Sequence, residues 1–119
     1  MSYDISLCDP VTQEPIELDQ PHELKGGTYA LGGTTEAWLN ITYNYSEILH
    51  RVLDPSQGIR SVYNMTGAES IPKLESAIAQ LGDDTDSDYW KPTEGNVKCA
   101  LLNLVSLAKL RPDGVWNGD

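Results

Sequence analysis

The spacing of apolar residues changes period partway along this chain, and that change limits the possible folds more than any other feature. Up to Tyr45 they recur at about every second position, as on a strand with one buried face; from Ser46 to Leu110 they recur every three or four, as on a helix with one buried stripe. Strands first and helices afterwards predict an α+β fold, with a small antiparallel sheet packed against two or three helices. A length of 119 residues fits one domain, and 39% apolar residues suffice for a small core.

Tyr3, Ile5 and Leu7 alternate with Ser2, Asp4 and Ser6, and after the turn-forming run 9–15 the pattern resumes with Ile16 and Leu18 against Glu17 and Asp19. This predicts an N-terminal β-hairpin with one apolar face and one face of carboxylates. Gln20-Pro21-His22-Glu23 interrupts it. Two Gly-Gly-Thr turns, at 26–28 and 32–34, bracket a brief strand at Tyr29-Ala30-Leu31. Leu39, Ile41, Tyr43 and Tyr45 then alternate with Asn40, Thr42 and Asn44, which predicts a strand over 36–45.

Ser46 reads as the N-cap of a short helix through Ile48, Leu49, Val52 and Leu53, ended by Asp54-Pro55. Gly58 to Gly67 fits either a helical turn and a half or an irregular segment. In the next helix Ser70 is the expected cap, Pro72 falls in the first turn, and Ile71, Leu74, Ala77, Ile78 and Leu81 form one stripe before Gly82. The last helix is expected from Thr93 to about Leu110, with Val97, Ala100, Leu101, Leu104, Val105 and Ala108 inward and Pro112 as its stop. Residues 113–119 read as a Gly/Asp tail.

The net charge of −10 is concentrated: residues 1–24 hold six acids and residues 83–88 hold four, and neither segment has a Lys or Arg. Such a balance argues against direct binding to nucleic acid, whose phosphates recruit Lys and Arg. It favours a basic protein partner, a metal ion or plain solubility. No apolar run is long enough to span a membrane, and Met1 to Pro10 lack the layout of a signal peptide, so a cytoplasmic location is expected. Without a secretory route the sequons at Asn40, Asn44 and Asn64 carry no glycan information.

Chemistry-bearing motifs are few. Cys8 and Cys99 stand 91 positions apart with no CxxC, so neither a disulfide framework nor a zinc site is expected. Counting from Asp83, Glu94 takes the twelfth place of a calcium loop, but Thr85 and Ser87 stand third and fifth and Asp88 stands where the sharp turn needs Gly. No metal or cofactor is expected. The glycine pairs lead into a strand, and no phosphate-loop motif is present. His22 and His50 have no sequence neighbour that would make either a general base.

Every aromatic ring is Tyr or Trp, types enriched where one end is buried and the other wet. Trp38, Tyr43 and Tyr45 on the 36–45 strand, with the turns at Gly26, Gly27, Gly32 and Gly33, could wall a small-ligand pocket. A nucleotide signal held there would need a basic side chain, and Lys25, Arg51 and Arg60 are the nearest in sequence.

The segments GGTYALGGTTEAWLNITYNY (26–45), MTGAE (65–69), YWKPTEGN (89–96) and RPDG (111–114) resemble a family of small proteins carried by phages and mobile elements of gut and other Gram-positive bacteria. The resemblance covers nearly the whole chain and transfers no catalytic residue. It implies a phage or prophage accessory protein acting in the bacterial host cytoplasm. Small acidic accessory proteins are often inhibitors of host defence, including anti-CRISPR proteins, some of which present carboxylates where a nuclease expects phosphates. The first expectation is therefore a non-enzymatic inhibitor whose acids Asp4, Glu17, Asp19, Asp83, Asp84, Asp86 and Asp88 dock on a basic groove of a host protein. The alternatives are the nucleotide-binding pocket above and an enzyme built on a His or carboxylate cluster.

Overall fold

A computed structural model of the protein describes residues 1–26 and 33–119. Among these residues the order is β1 (Ser2–Cys8), β2 (Glu17–His22), β3 (Thr34–Glu36), β4 (Trp38–Thr42), α1 (Ser46–Val52), α2 (Gly67–Ala79), α3 (Glu94–Leu110) and β5 (Val115–Gly118). The fold is α+β, with two small antiparallel sheets, of order β4-β1-β5 and β2-β3, and three α-helices. The brief strand expected at 29–31 lies outside the described residues.

β1 is the centre of the larger sheet because its alternation gives both neighbours something to cover. Tyr3, Ile5 and Leu7 are buried on one face, and β4 sets Ile41 opposite Tyr3 and Leu39 opposite Ile5, both with essentially no exposed surface. β5 sets the buried Trp116 opposite Leu7. Apolar pairs in register on one face are what hold a sheet to a core.

The expected N-terminal hairpin forms only next to its turn. Asp9 donates its amide to the Glu14 carbonyl at 2.9 Å and Ile16 donates to the Leu7 carbonyl at 2.9 Å. Past Ile16 the chain leaves β1 and pairs with β3 instead. Three backbone bonds mark the branch: Leu7 N–H to the Ala37 carbonyl (2.8 Å), Ala37 N–H to the Ile16 carbonyl (2.9 Å), and Ile16 N–H to the Leu7 carbonyl. They close a ring among three buried residues. Alternation identifies an extended segment but not its neighbour. β4 wins the place beside β1 because it brings Leu39 and Ile41, whereas β2 has no fully buried residue.

The strand expected over 36–45 stops at Thr42. Its Oγ1 accepts the Asn44 amide at 3.2 Å and caps a 3-10 turn over Tyr43–Tyr45 that runs directly into α1. Ser46 accordingly makes no cap; its hydroxyl meets the Tyr3 hydroxyl at 2.7 Å. Residues 58–62 form a second 3-10 turn. α2 begins earlier than expected, capped by Thr66, whose Oγ1 accepts the Glu69 amide while Glu69 accepts the Thr66 amide, at 3.0 and 2.9 Å. This reciprocal box satisfies two helix-end donors at once. It also puts Pro72 in the second turn and Ser70 inside the helix.

Residues 113–119 are not a tail. Trp116 in β5 is completely buried, its indole N–H donates to Ser70 Oγ at 2.7 Å, and Ser70 donates to the Gly67 carbonyl at 2.8 Å. The outer edge of β5 is closed by Asn64, which donates to the Trp116 carbonyl, and by Met65, which accepts the Trp116 amide, at 2.8 and 2.9 Å. An edge covered in this way offers no template for pairing with another chain.

α3 is capped by Thr93, whose Oγ1 accepts the Asn96 amide at 3.1 Å. It buries Val97, Ala100, Leu101, Leu104, Val105 and Ala108 as the periodicity predicts, and packs against α2, whose buried residues include Leu74 and Ala77. Among the described residues no helix is long and apolar enough to cross a membrane.

Candidate functional site: the acidic surfaces

The 83–88 loop and the Glu17/Asp19 part of the N-terminal acidic segment sit at opposite ends of α3. The 83–88 loop wraps the N-terminal end, where Asp84 accepts the Gly95 amide at 3.1 Å and Asn96 accepts the Asp86 amide at 3.0 Å. Glu17 and Asp19 line a hollow of about 290 Å³ with Leu110 and Arg111 at the C-terminal end. A helix of 17 residues separates them, about 25 Å at 1.5 Å per residue. They are not one patch.

The loop acids are partners of their own fold. Asp83 pairs with Lys98 at 2.7 Å, Asp86 with Lys91 at 3.5 Å, and Glu94 with Arg51 at 2.9 Å. Asp86 also accepts the Asp88 amide at 2.8 Å, and Asp88 accepts the Trp90 amide at 3.2 Å. Lys98 holds the Asp83 carboxyl below its usual range; the Asp88 amide does most of the same for Asp86, and the Gly82 amide, then Arg51, for Glu94. Carboxylates at a helix N-terminus also meet the favourable end of its dipole. Much of this loop's charge thus answers local donors. Among the described residues no group of three or more His, Cys, Asp or Glu is placed to hold a metal.

The N-terminal acids are arranged differently. No ion pair among the described residues involves an acid of residues 1–24. Asp4 lies on the outer face of the larger sheet, accepting from Trp38 Nε1 at 3.3 Å and Asn40 Nδ2 at 2.7 Å. On the β2-β3 ribbon Glu17 stands directly opposite Glu36, and Asp19 and Glu23 are exposed. Thr35 donates to Glu17 Oε2 at 2.5 Å, the one side-chain donor among the described residues that reaches this pair. Like charges facing each other across two strands weaken the ladder. Arg111 is the nearby cation; among the described residues its side-chain hydrogen bonds go to Asp113, at 3.0 and 2.8 Å, while Asp9 and Asp19 lie within reach of its charge.

The residues expected to wall a nucleotide pocket do not share one site: Lys25 and Tyr45 line one hollow, and Tyr43 and Arg60 meet elsewhere, at 3.4 Å. Trp38 shares the outer face of β4 with Asn40, away from the buried Leu39 and Ile41. Tyr45 is buried; its hydroxyl donates to the Tyr89 carbonyl, and it lines a hollow of about 270 Å³ with Lys25, Tyr89, Asn96 and Cys99. Burial pushes the Tyr45 hydroxyl up to about 12. Tyr43 packs edge-on against Tyr3, at 4.6 Å between centroids, and Arg60 lies over the Tyr3 ring at 4.9 Å. Arg51 is engaged by Glu94. Gly26 is buried where a side chain would collide with the Asn40 carbonyl, and Gly33 is exposed beside the His22 backbone. Gly27 and Gly32 lie outside the described residues.

Backbone groups hold both histidines. His22 Nε2 contacts the Glu36 carbonyl at 2.7 Å and its Nδ1 accepts the Leu24 amide at 3.2 Å; His50 Nδ1 contacts the Ser46 carbonyl at 2.7 Å. No carboxylate orients either ring among the described contacts, so the geometry of a charge-backed general base is not assembled there. Two features escaped the sequence. The facing of Glu17 and Glu36 depends on a strand pairing between distant segments, and a polar hollow beside His50 and Arg60 depends on the 3-10 turn at 58–62. No protein-family model matches this chain, and no curated protein or solved structure does so either.

Proposed function

We propose that this is a non-enzymatic binding protein that docks the acidic β2-β3 ribbon on a basic groove of a partner protein. The setting is the one its sequence resemblance implies, a phage or prophage accessory protein that inhibits a host defence protein in the manner of an anti-CRISPR. One observation carries the docking part: Glu17 and Glu36 face each other across the ribbon with no Lys or Arg paired to them among the described residues. A guanidinium or ammonium from a partner, placed between them, would convert a repulsion into two charge-assisted hydrogen bonds. Asp19 and Glu23 extend the same surface. The docking set is therefore narrower than the acid count suggests, because Asp83, Asp84, Asp86 and Asp88 accept bonds within their own loop and helix end.

Association of this kind is fast at low salt and weakens as salt rises. The test is a pull-down from bacterial lysate with the wild-type protein and a Glu17→Lys/Asp19→Lys variant, at low and high salt. A partner kept by the wild type at low salt, and lost both at high salt and by the variant, supports the proposal. Retention indifferent to salt and to the variant refutes it. For the defence role, phage plating on a CRISPR-protected host should rise when the wild type is expressed and stay unchanged with the variant.

A further inference from the structure

A second site of opposite character lies beside the 3-10 turn at 58–62. A hollow of about 380 Å³ is lined there by His50, Gln57, Arg60, Ser61, Tyr63 and Asn64. In a chain of net charge −10 it contains an arginine and a histidine, and no carboxylate side chain lines it among the described residues.

The two basic groups are fixed in place. Gly58 has a φ of +58°, and a Cβ on it would fall 2.7 Å from His50 Nδ1, so the turn closes directly on the imidazole. The Ser46 carbonyl can only accept, so the Nδ1 facing it at 2.7 Å carries the proton and Nε2 is left for another partner. Arg60 donates from Nε to the Asp119 carbonyl at 2.8 Å, and from Nη2 to the Tyr43 hydroxyl at 3.4 Å, with the Tyr3 ring beneath the guanidinium. Its Nη1 has no partner among the described residues. The side-chain amides of Gln57 and Asn64 have none either, and both residues are exposed at the hollow.

We infer that this hollow binds a phosphate group, either inorganic phosphate or the phosphate of a monoester. A tetrahedral dianion needs donors from several directions, and here they come from a guanidinium and two carboxamides on different parts of the chain, with His50 Nε2 adding another when both nitrogens of its ring carry protons. The acidic ribbon and this hollow are separate surfaces, so the inference stands independently of the docking role.

The test is a titration of the isotopically labelled full chain, followed by NMR at constant ionic strength, with inorganic phosphate, a nucleoside 5′-monophosphate and chloride. Saturable shifts of the Arg60 Nε–H and the 58–64 amides with either phosphate compound, and none with chloride, are expected. Response to inorganic phosphate alone or to both assigns the site to the phosphate group; response only to the nucleotide assigns it to the monoester. Affinity should fall about tenfold or more in Arg60→Met, the loss of a charge-assisted hydrogen bond. Because Arg60 also braces Tyr3 and Tyr43, Gln57→Glu provides the second variant; it places a carboxylate at an exposed position and should weaken binding without unfolding the chain. Equal shifts with chloride, no saturable shift with either phosphate compound, or binding unaltered in Gln57→Glu would overturn the inference.

Discussion

The indole N–H of Trp116 donates to the hydroxyl of Ser70 across 2.7 Å, and neither residue has exposed surface. Ser70 in turn donates to the Gly67 carbonyl, so β5 is latched to the first turn of α2 by two consecutive bonds. Ser70→Ala leaves a buried indole donor without an acceptor and should cost about 1–3 kcal/mol. In a Trp116→Phe background the donor is already gone, and the same change should cost much less. Urea denaturation of the two single variants and the double variant measures the difference.

Acid should loosen the α3 N-terminal loop. The Asp83, Asp86 and Glu94 carboxyls are held below their ordinary values of 3.8, 3.8 and 4.5 by lysine, arginine and amide donors. A carboxyl depressed in the folded state stabilises fully above its unfolded value, and that contribution disappears as pH falls through the folded one. Melting temperature should therefore be flat near neutrality and drop below about pH 4. Asp83→Asn combined with Glu94→Gln should lower the neutral-pH value slightly and flatten the acid side, since exposed pairs each contribute little.

The ribbon carries a trade between stability and binding. Glu36→Lys puts a cation opposite Glu17 and should stabilise the chain by roughly 0.2–1 kcal/mol. The same change fills the space proposed for a partner's basic side chain, so retention in a low-salt pull-down should fall. Stability rising while binding falls is the expected pair of results. A parallel loss of both would mean that Glu36 serves the fold instead.

The two thiols should react at different rates. Cys99 is exposed on α3, whereas Cys8 is buried and desolvation pushes its thiol up. Both the access to Cys99 and the raised Cys8 thiol direct the reagent to Cys99. Titration with a chromogenic disulfide should show one thiol modified promptly and the second only on addition of denaturant. Two fast phases would contradict the burial of Cys8 at the end of β1.

Helices were the part most legible in the sequence, because a 3.6-residue stripe needs no knowledge of its neighbour. Val97, Ala100, Leu101, Leu104, Val105 and Ala108 face inward as their spacing predicts, and α3 starts next to Thr93 as expected. What failed were statements about partners. The alternation of Tyr3, Ile5 and Leu7 identified β1, yet its neighbours are β4 and β5 rather than the segment just after the turn. Asn117, Gly118 and Asp119 disguised β5, although Val115-Trp116 was an apolar pair within reach of a strand reading. Tyr43 and Tyr45 continued the alternation of β4, but Thr42 capped a 3-10 turn and redirected them, burying Tyr45 by a different route. Acidic residues were countable from the start. Which of them are consumed by amides and lysines is a property of loop geometry and could not be read from their number.

β5 joins the sheet beside β1, with Gly118 opposite Ile5, and Asp119 accepts the Asp4 amide at 2.9 Å. On the ribosome, residues 115–118 are made after β1, Asn64, Met65 and Ser70, which they pair with or bond to. β1, β4 and the helices can collapse earlier, but Leu7 waits for Trp116 and Ser70 waits for the indole. Contacts so far apart in the chain slow folding and leave apolar surface open in the meantime. A nascent chain paused before Val115 would thus expose a specific cleft, beside β1 and the start of α2, for a chaperone to cover until synthesis supplies the tryptophan that fills it.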